Sequence, residues 1–325
     1  MRIFVSVLKN NLRRLSERKS RLFLFLFLTA CSIAAALFIN TKAGTAGNVA
    51  VVSAGGATLQ SAYINITRLE QAPPLSDLVM GKYDAAVFLD GRGGYTIQTV
   101  KDDGFKQTLE KLISDPAGFT AGHIESRGYG TNIVGFMMMF ILMQGISLIF
   151  MFAEDIEQKQ IMRVAASPVS FTGYLCAHGL FTFAALAAPV MLMLAIVRSV
   201  LNIEIGLSLP AYLYITALLG ALAVSFALFL TAFLKKYDSA SMVGSAVIVL
   251  TSILAGSFYS FDRGNRVLGA IIRILPQKAF LTMAEMMEQG RGISSWYRHG
   301  LYIAVLIAFF FAAAIIKTRT DYVKS

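Results

Sequence analysis

The chain has 325 residues, of which 56% are hydrophobic and only 15% charged. Soluble domains run at about 45–50% apolar and about 25% charged, so this composition belongs with membrane proteins. The net charge of +10 is densest in the N-terminal arm beside an apolar run, which fits topology and anionic lipid and argues against nucleic acid. Both cysteines, Cys31 and Cys176, lie in apolar runs, which leaves no disulfide framework.

Residues 1–21, MRIFVSVLKNNLRRLSERKSR, set Ile3, Val7, Leu8, Leu12 and Leu15 at helical spacing. Arg2, Lys9, Arg13, Arg14, Arg18 and Lys19 fill the other positions. That pattern predicts a cytoplasmic amphipathic helix lying in the headgroup region. A signal peptide is the rival reading, but the apolar run 22–39 is longer than a usual signal core. INTKAGTAG offers only a weak small-residue cleavage site, so the segment reads as a retained anchor.

Six stretches meet the requirement of about 20 predominantly apolar residues: 22–40, 132–152, 173–197, 210–234, 240–261 and 299–316. Between the first two, 41–131 changes composition. NVAVVSAGG, YDAAVFLD and YTIQTV read as short strands; PLSDLVMGK and DDGFKQTLEKLISD read as helices with Ser76 and Asp102 as N-caps. The expected fold class is an α-helical polytopic membrane protein of six transmembrane helices, with a small extracytoplasmic α/β domain between spans one and two. A five-helix region, 132–325, completes the chain.

The Lys/Arg-dense arm resists translocation. With it inside, six spans bring KTRTDYVKS at the C-terminus inside too, along with loops 153–172 and 235–239. The 41–131 domain is then outside. Segment 262–298 pulls the other way with Arg263, Arg266, Arg273, Lys278, Arg291 and Arg298, but the arm is denser. The apolar part of VLGAIIRILPQKAFLTMAEMMEQG before Pro276 is too short to cross. It reads as a re-entrant pair of short helices bent at Pro276, which is tolerated where protein covers the backbone.

Enzyme chemistry finds no residues. There is no GxxxxGK[ST] loop, GRGGYTI at 91–97 reads as a turn before a strand, and His123, His178 and His299 have no metal-ligand spacing. NIT at 65–67 matches a glycosylation sequon by a triplet that arises often by chance. Charge inside spans marks ion or proton pathways. Here Gln144 and His178 are the main strongly polar groups; a place in a transport path is one reading of His178, and interhelical hydrogen bonding is the expected one.

The segment EDIEQKQIMRVAASPVS, 154–170, separates two membrane-length runs. Glu154, Asp155 and Glu157 are expected to open a short helix, where acids suit the N-terminus. Ile161, Met162 and Val164 make an apolar ridge flanked by Lys159 and Arg163, and Pro168 ends the helix at Ser167. A knob tied to two spans moves both when pushed, as a transmission element must.

At these residues the chain resembles an ABC type-2 export permease over nearly its whole length. The resemblance rests on the order of elements, on Glu154, Asp155, Arg163, Ser167 and Pro168 in the coupling-helix segment 154–168, on GKYDAAVFLD (81–90) and on RILPQKAF (273–280). Gln158–Gln160 stand where that family often has Gly-Thr. The resemblance implies a multi-pass protein of a bacterial plasma membrane with both termini cytoplasmic. It implies two ABC ATPase subunits, which carry the ATP and Mg, and a second permease chain, identical or paralogous; this chain itself is expected to hold no cofactor. It further implies that spans 132–152 and 240–261 line a cavity, with Phe136, Met139, Phe140, Met143, Ser245, Thr251 and Ser252 facing cargo. Flexible Met surfaces suit varied apolar cargo, so the expected substrate is a hydrophobic or amphipathic drug, peptide or lipid-like molecule moved outward. Two alternatives stay open: a permease extruding sodium or another cation, and a non-transporting immunity or sensor protein.

Overall fold

The computed structural model describes residues 2–42, 48–53, 65–69, 71–79, 83–89, 94–99, 103–115, 128–166, 170–257 and 266–322. The chain opens with α1 (Arg2–Glu17) and α2 (Lys19–Lys42), the second enclosing the first apolar stretch. At about 1.5 Å per residue, the 24 residues of α2 reach about 36 Å.

A separate α/β unit follows in sequence: β1 (Asn48–Ser53), β2 (Asn65–Leu69), α3 (Leu75–Val79), β3 (Ala85–Leu89), β4 (Tyr95–Thr99) and α4 (Asp103–Ser114). The sheet order is β2-β1-β3-β4, with β1 parallel to both neighbours and β4 antiparallel to β3. Both faces are covered, which is why the central strands read as nearly continuous apolar runs. Val49, Val51, Ala85 and Val87 pack on Leu109 and Leu112 of α4, while Ala50 and Ala86 pack with Leu78 of α3 on the other side. The sequence reading lacked β2, an edge strand whose NITRL shows no clean alternation. Ser76 is the second residue of α3, not its cap, because the helix starts directly after Pro74. Asp102 lies outside the described residues.

The helical unit resumes with α5 (Tyr129–Leu148), α6 (Phe150–Glu157), α7 (Gln160–Ala165), α8 (Phe171–Ser199), α9 (Leu209–Leu234) and α10 (Tyr237–Leu254). It ends with α11 (Arg266–Ile274), α12 (Pro276–Glu288) and α13 (Ile293–Tyr322). Among the described residues five helices are long and apolar enough to cross a membrane, or six if the bent α11–α12 pair is one span. Pro276 starts α12, and the pair turns by 79° there.

α5 is the most enclosed span and packs on α9, α10 and α12. Its crossing with α9 is close because Gly145 faces Ala223: a Cβ at Gly145 would stand 2.7 Å from that of Ala223. Small residues let membrane helices approach in this way. Gln144 of α5 hydrogen-bonds Thr29 and the Phe25 carbonyl of α2, spending its polarity between helices.

Side-chain contacts sort the bundle into two ends. The Glu157 carboxylate accepts from the Tyr237 backbone N–H at 2.9 Å, and Lys235 pairs with Asp321 at 2.8 Å. These place the α6–α7 turn, the α9–α10 turn and the C-terminal turn of α13 at one end, where α1 also lies; we call it the arm end. At the far end Glu288 of α12 meets Gly130 and Thr131 in the first turn of α5, beside the α8–α9 loop at Gly206.

Candidate functional site

The 154–168 segment folds differently from the single helix expected of it. The span continues through α6 to Glu157, the chain turns at Gln158 and Lys159, and α7 is a separate six-residue helix. Lys159 takes φ 55°, the left-handed region, at that break. Glu154, Asp155 and Glu157 therefore close a helix instead of opening one. Acids at a C-terminus oppose the helix dipole, so they need cations, and α1 supplies them.

Arg14 Nη1 donates to Asp155 Oδ1 at 2.9 Å, and Arg14 Nη2 donates to Glu154 Oε2 at 2.8 Å and to the Met151 carbonyl at 3.2 Å. Arg18 Nη2 reaches Glu154 Oε1 at 2.5 Å while its guanidinium lies over the Phe150 ring. Asp155 is only 4% exposed, and its second oxygen accepts from the Tyr174 hydroxyl of α8. His178 Nε2 stands 3.3 Å from that same oxygen, and His178 Nδ1 lies 3.1 Å from Asn11 Nδ2 on α1. His178 thus turns Nδ1 to α1 and Nε2 to Asp155. Burial works against the Arg14 charge, but the Asp155 and Glu154 carboxylates outweigh it and hold its pKa above the ordinary value.

The cluster joins α1, α6 and α8 through one buried carboxylate. Glu157 is used differently: it caps the first N–H of α10, so an acid at the unfavourable end of its own helix serves the favourable end of the next.

Of the residues expected to couple, Glu154 and Asp155 thus turn inward to α1 and α8. Ile161 is fully buried and Val164 partly so, leaving Met162 as the exposed part of the expected ridge. Lys159 and Arg163 are exposed beside it. Ser167 and Pro168 lie outside the described residues.

Of the residues expected to face cargo, Met139, Phe140 and Met143 form a half-buried stripe on α5, and Phe136 is buried. Ser245 of α10 is half-buried. Thr251 accepts from Gln277 Nε2 of α12 at 2.7 Å, and Ser252 is fully enclosed.

Sequence reasoning missed Asn11, Arg14, Arg18, Tyr174 and Glu288. One signal was present: Asn11, Arg14 and Arg18 recur at helical spacing through α1 and the residue after it, and Tyr174 and His178 stand four apart on a mostly apolar span.

The profile of the ABC-2 family transporter proteins matches residues 98–316. The chain belongs to the ABC-2 transporter family. No curated protein matches it. The match takes in α5 to α12 and most of α13 but not α1, so the acids of the cluster lie within it and Arg14 and Arg18 outside it. As an ABC-2 permease the chain is the membrane component of a transporter and works with an ABC ATPase.

Proposed function

We propose that this permease exports a hydrophobic or amphipathic molecule, driven by two separate ATPase subunits that grip the arm end. The observation that carries this reading is the Arg14–Glu154–Asp155–Tyr174–His178 cluster. A load applied to the α6–α7 turn cannot move α6 alone, because α1 and α8 are bonded to the same carboxylates. Breaking a buried ion pair costs about 3–5 kcal/mol, more than thermal motion supplies. The exposed Lys159, Met162 and Arg163 then offer the ATPase a short cationic and apolar grip on a stiff block.

The arm end is the cytoplasmic one in this reading. Lys9, Arg13, Lys159, Arg163, Lys235 and Arg319 all lie at that end, in line with positive charge retained inside. The α/β unit is then extracytoplasmic and the far end opens outward. A second permease chain completes the pathway, with the Met139–Phe140–Met143 stripe and Ser245 facing cargo. The apolar stripe favours amphipathic cargo over a cation, which would need charged or carbonyl ligands.

Two measurements test this. Lys159→Glu with Arg163→Glu should abolish co-purification of the native ATPase while leaving the melting temperature unchanged; undiminished co-purification refutes the grip. In proteoliposomes the complete transporter should move an amphipathic fluorescent dye on ATP addition and leave a sodium gradient intact. Sodium movement without dye movement would replace this reading with cation extrusion.

A further inference from the structure

The far end holds a second carboxylate site of opposite logic. Glu288 Oε1 accepts from the Gly130 N–H at 2.7 Å, and Oε2 accepts from the Thr131 N–H at 2.9 Å and the Thr131 hydroxyl at 2.7 Å. All three donors sit in the first turn of α5, where the dipole favours an anion. The approach requires glycine on all sides. A Cβ at Gly128 would lie 2.1 Å from Glu288 Cδ, and one at Gly130 would lie 2.6 Å from Leu207 Cγ. Gly206 adopts φ +75°, and a Cβ there would stand 2.4 Å from Glu288 Oε1 and 2.2 Å from the Gly130 nitrogen.

The helix bearing Glu288 is bounded by two breaks. Its start is the 79° bend at Pro276, and its end runs into Gly290, at φ +70° with open space around it, then exposed Gly292. Between them Phe280, Leu281, Met283 and Ala284 are buried. Glu288 itself is only half-buried, and Gln289 and Gly290 beyond it are exposed. Water can therefore reach the Glu288 side of this contact, though Gly130 and Thr131 are buried, whereas Asp155 is itself buried.

From this geometry we propose that Glu288 is a releasable latch, the positioning residue that holds α12 on the head of α5. Outward opening begins when its carboxylate leaves Gly130 and Thr131 and α12 rocks about Pro276. The role as a gate rests on the export reading above; the latch itself is a property of the resting protein.

Single cysteines in a Cys31→Ser, Cys176→Ser background test it without ATPase or cargo. Leu281→Cys, on the buried face of α12 beside Gly135, reports opening of the far end, and Ile161→Cys, fully buried at the arm end, reports general loosening. Both are labelled with a membrane-impermeant maleimide in detergent. Glu288→Gln should speed labelling at position 281 about tenfold, the ratio for losing one charge-assisted hydrogen bond, and leave position 161 unchanged. Glu285→Gln, an exposed carboxylate on the same helix, should change neither. Thr131→Val, which removes one of the three bonds, should give a smaller rise confined to 281, and it decides the matter if Glu288→Gln does not fold. An unchanged rate at 281, or a rise at 161 of the same size, overturns the latch. Either result leaves the export reading to the flux assay, so the two fail separately.

Discussion

The arm end and the far end of the bundle each depend on carboxylates, but the acids meet their helices at opposite poles. Glu154 and Asp155 close α6, where the dipole repels them, and Arg14 of a helix distant in sequence holds them in place. Glu288 meets the N-terminus of α5, where two backbone N–H groups and the Thr131 hydroxyl hold it without any cation. The first arrangement buries a carboxylate that joins three elements at once, so it behaves as a weld. The second sits beside exposed residues and behaves as a joint. On the proposed export reading this division is useful, with the stiff part under the motor and the releasable part at the exit.

The largest effect that would break the comparison lies at the weld. Asp155→Ala leaves Arg14 and His178 facing each other without the carboxylate, and it should cost about 3–5 kcal/mol of stability. Denaturant melting in detergent, followed by Trp296 fluorescence, measures this. The joint Arg14→Met, Asp155→Leu variant should recover much of that loss, since a buried pair replaced by apolar groups is often near neutral. A double variant as unstable as Asp155→Ala would mean that Tyr174 and His178, not the ion pair, dominate. At the joint, Glu288→Ala should cost less, about 1–2 kcal/mol, because it removes a half-buried helix cap and strands no buried charged partner. If Glu288→Ala proves costlier than Asp155→Ala, the assignment of weld and joint is reversed.

How far the sequence carried these conclusions depends on the range of each signal. Five of the six expected spans appear as helices long and apolar enough to cross, because apolar length is a local property. The first appears as α2, whose apolar part over the residues searched, Phe23–Phe38, is shorter. The strands of β1, β3 and β4 were legible for the same local reason, whereas β2 has one neighbour and little burial to impose a pattern. The α6–α7 break was hidden, since Gln158, Lys159 and Gln160 are all ordinary helix formers. Misplacing the helix start then put the acids at the wrong pole. The cluster itself was beyond local reading: Arg14 and Asp155 are 141 residues apart and meet only through the packing of α1 on α8. The Glu288 site spans 158 residues and depends on glycines whose spacing carries no periodic signal.

Smaller substitutions at the arm end separate buried charge from charge in general. Glu157→Ala removes the cap on α10, and its cost should be about 1 kcal/mol or less, the usual value of a lost N-cap. Arg13→Ala removes the i,i+4 partner of Glu17 on the exposed side of α1, where both side chains are mostly in water. Exposed pairs of this kind are screened and contribute little, so the melting midpoint should not move. Arg13 and Arg14 are adjacent in sequence and alike in chemistry, and only the direction each faces on α1 differs. If Arg13→Ala lowers the midpoint as much as Arg14→Ala does, the stability of the arm end comes from the net positive charge of α1. The Asp155 cluster would then no longer support the proposal that α1, α6 and α8 move together.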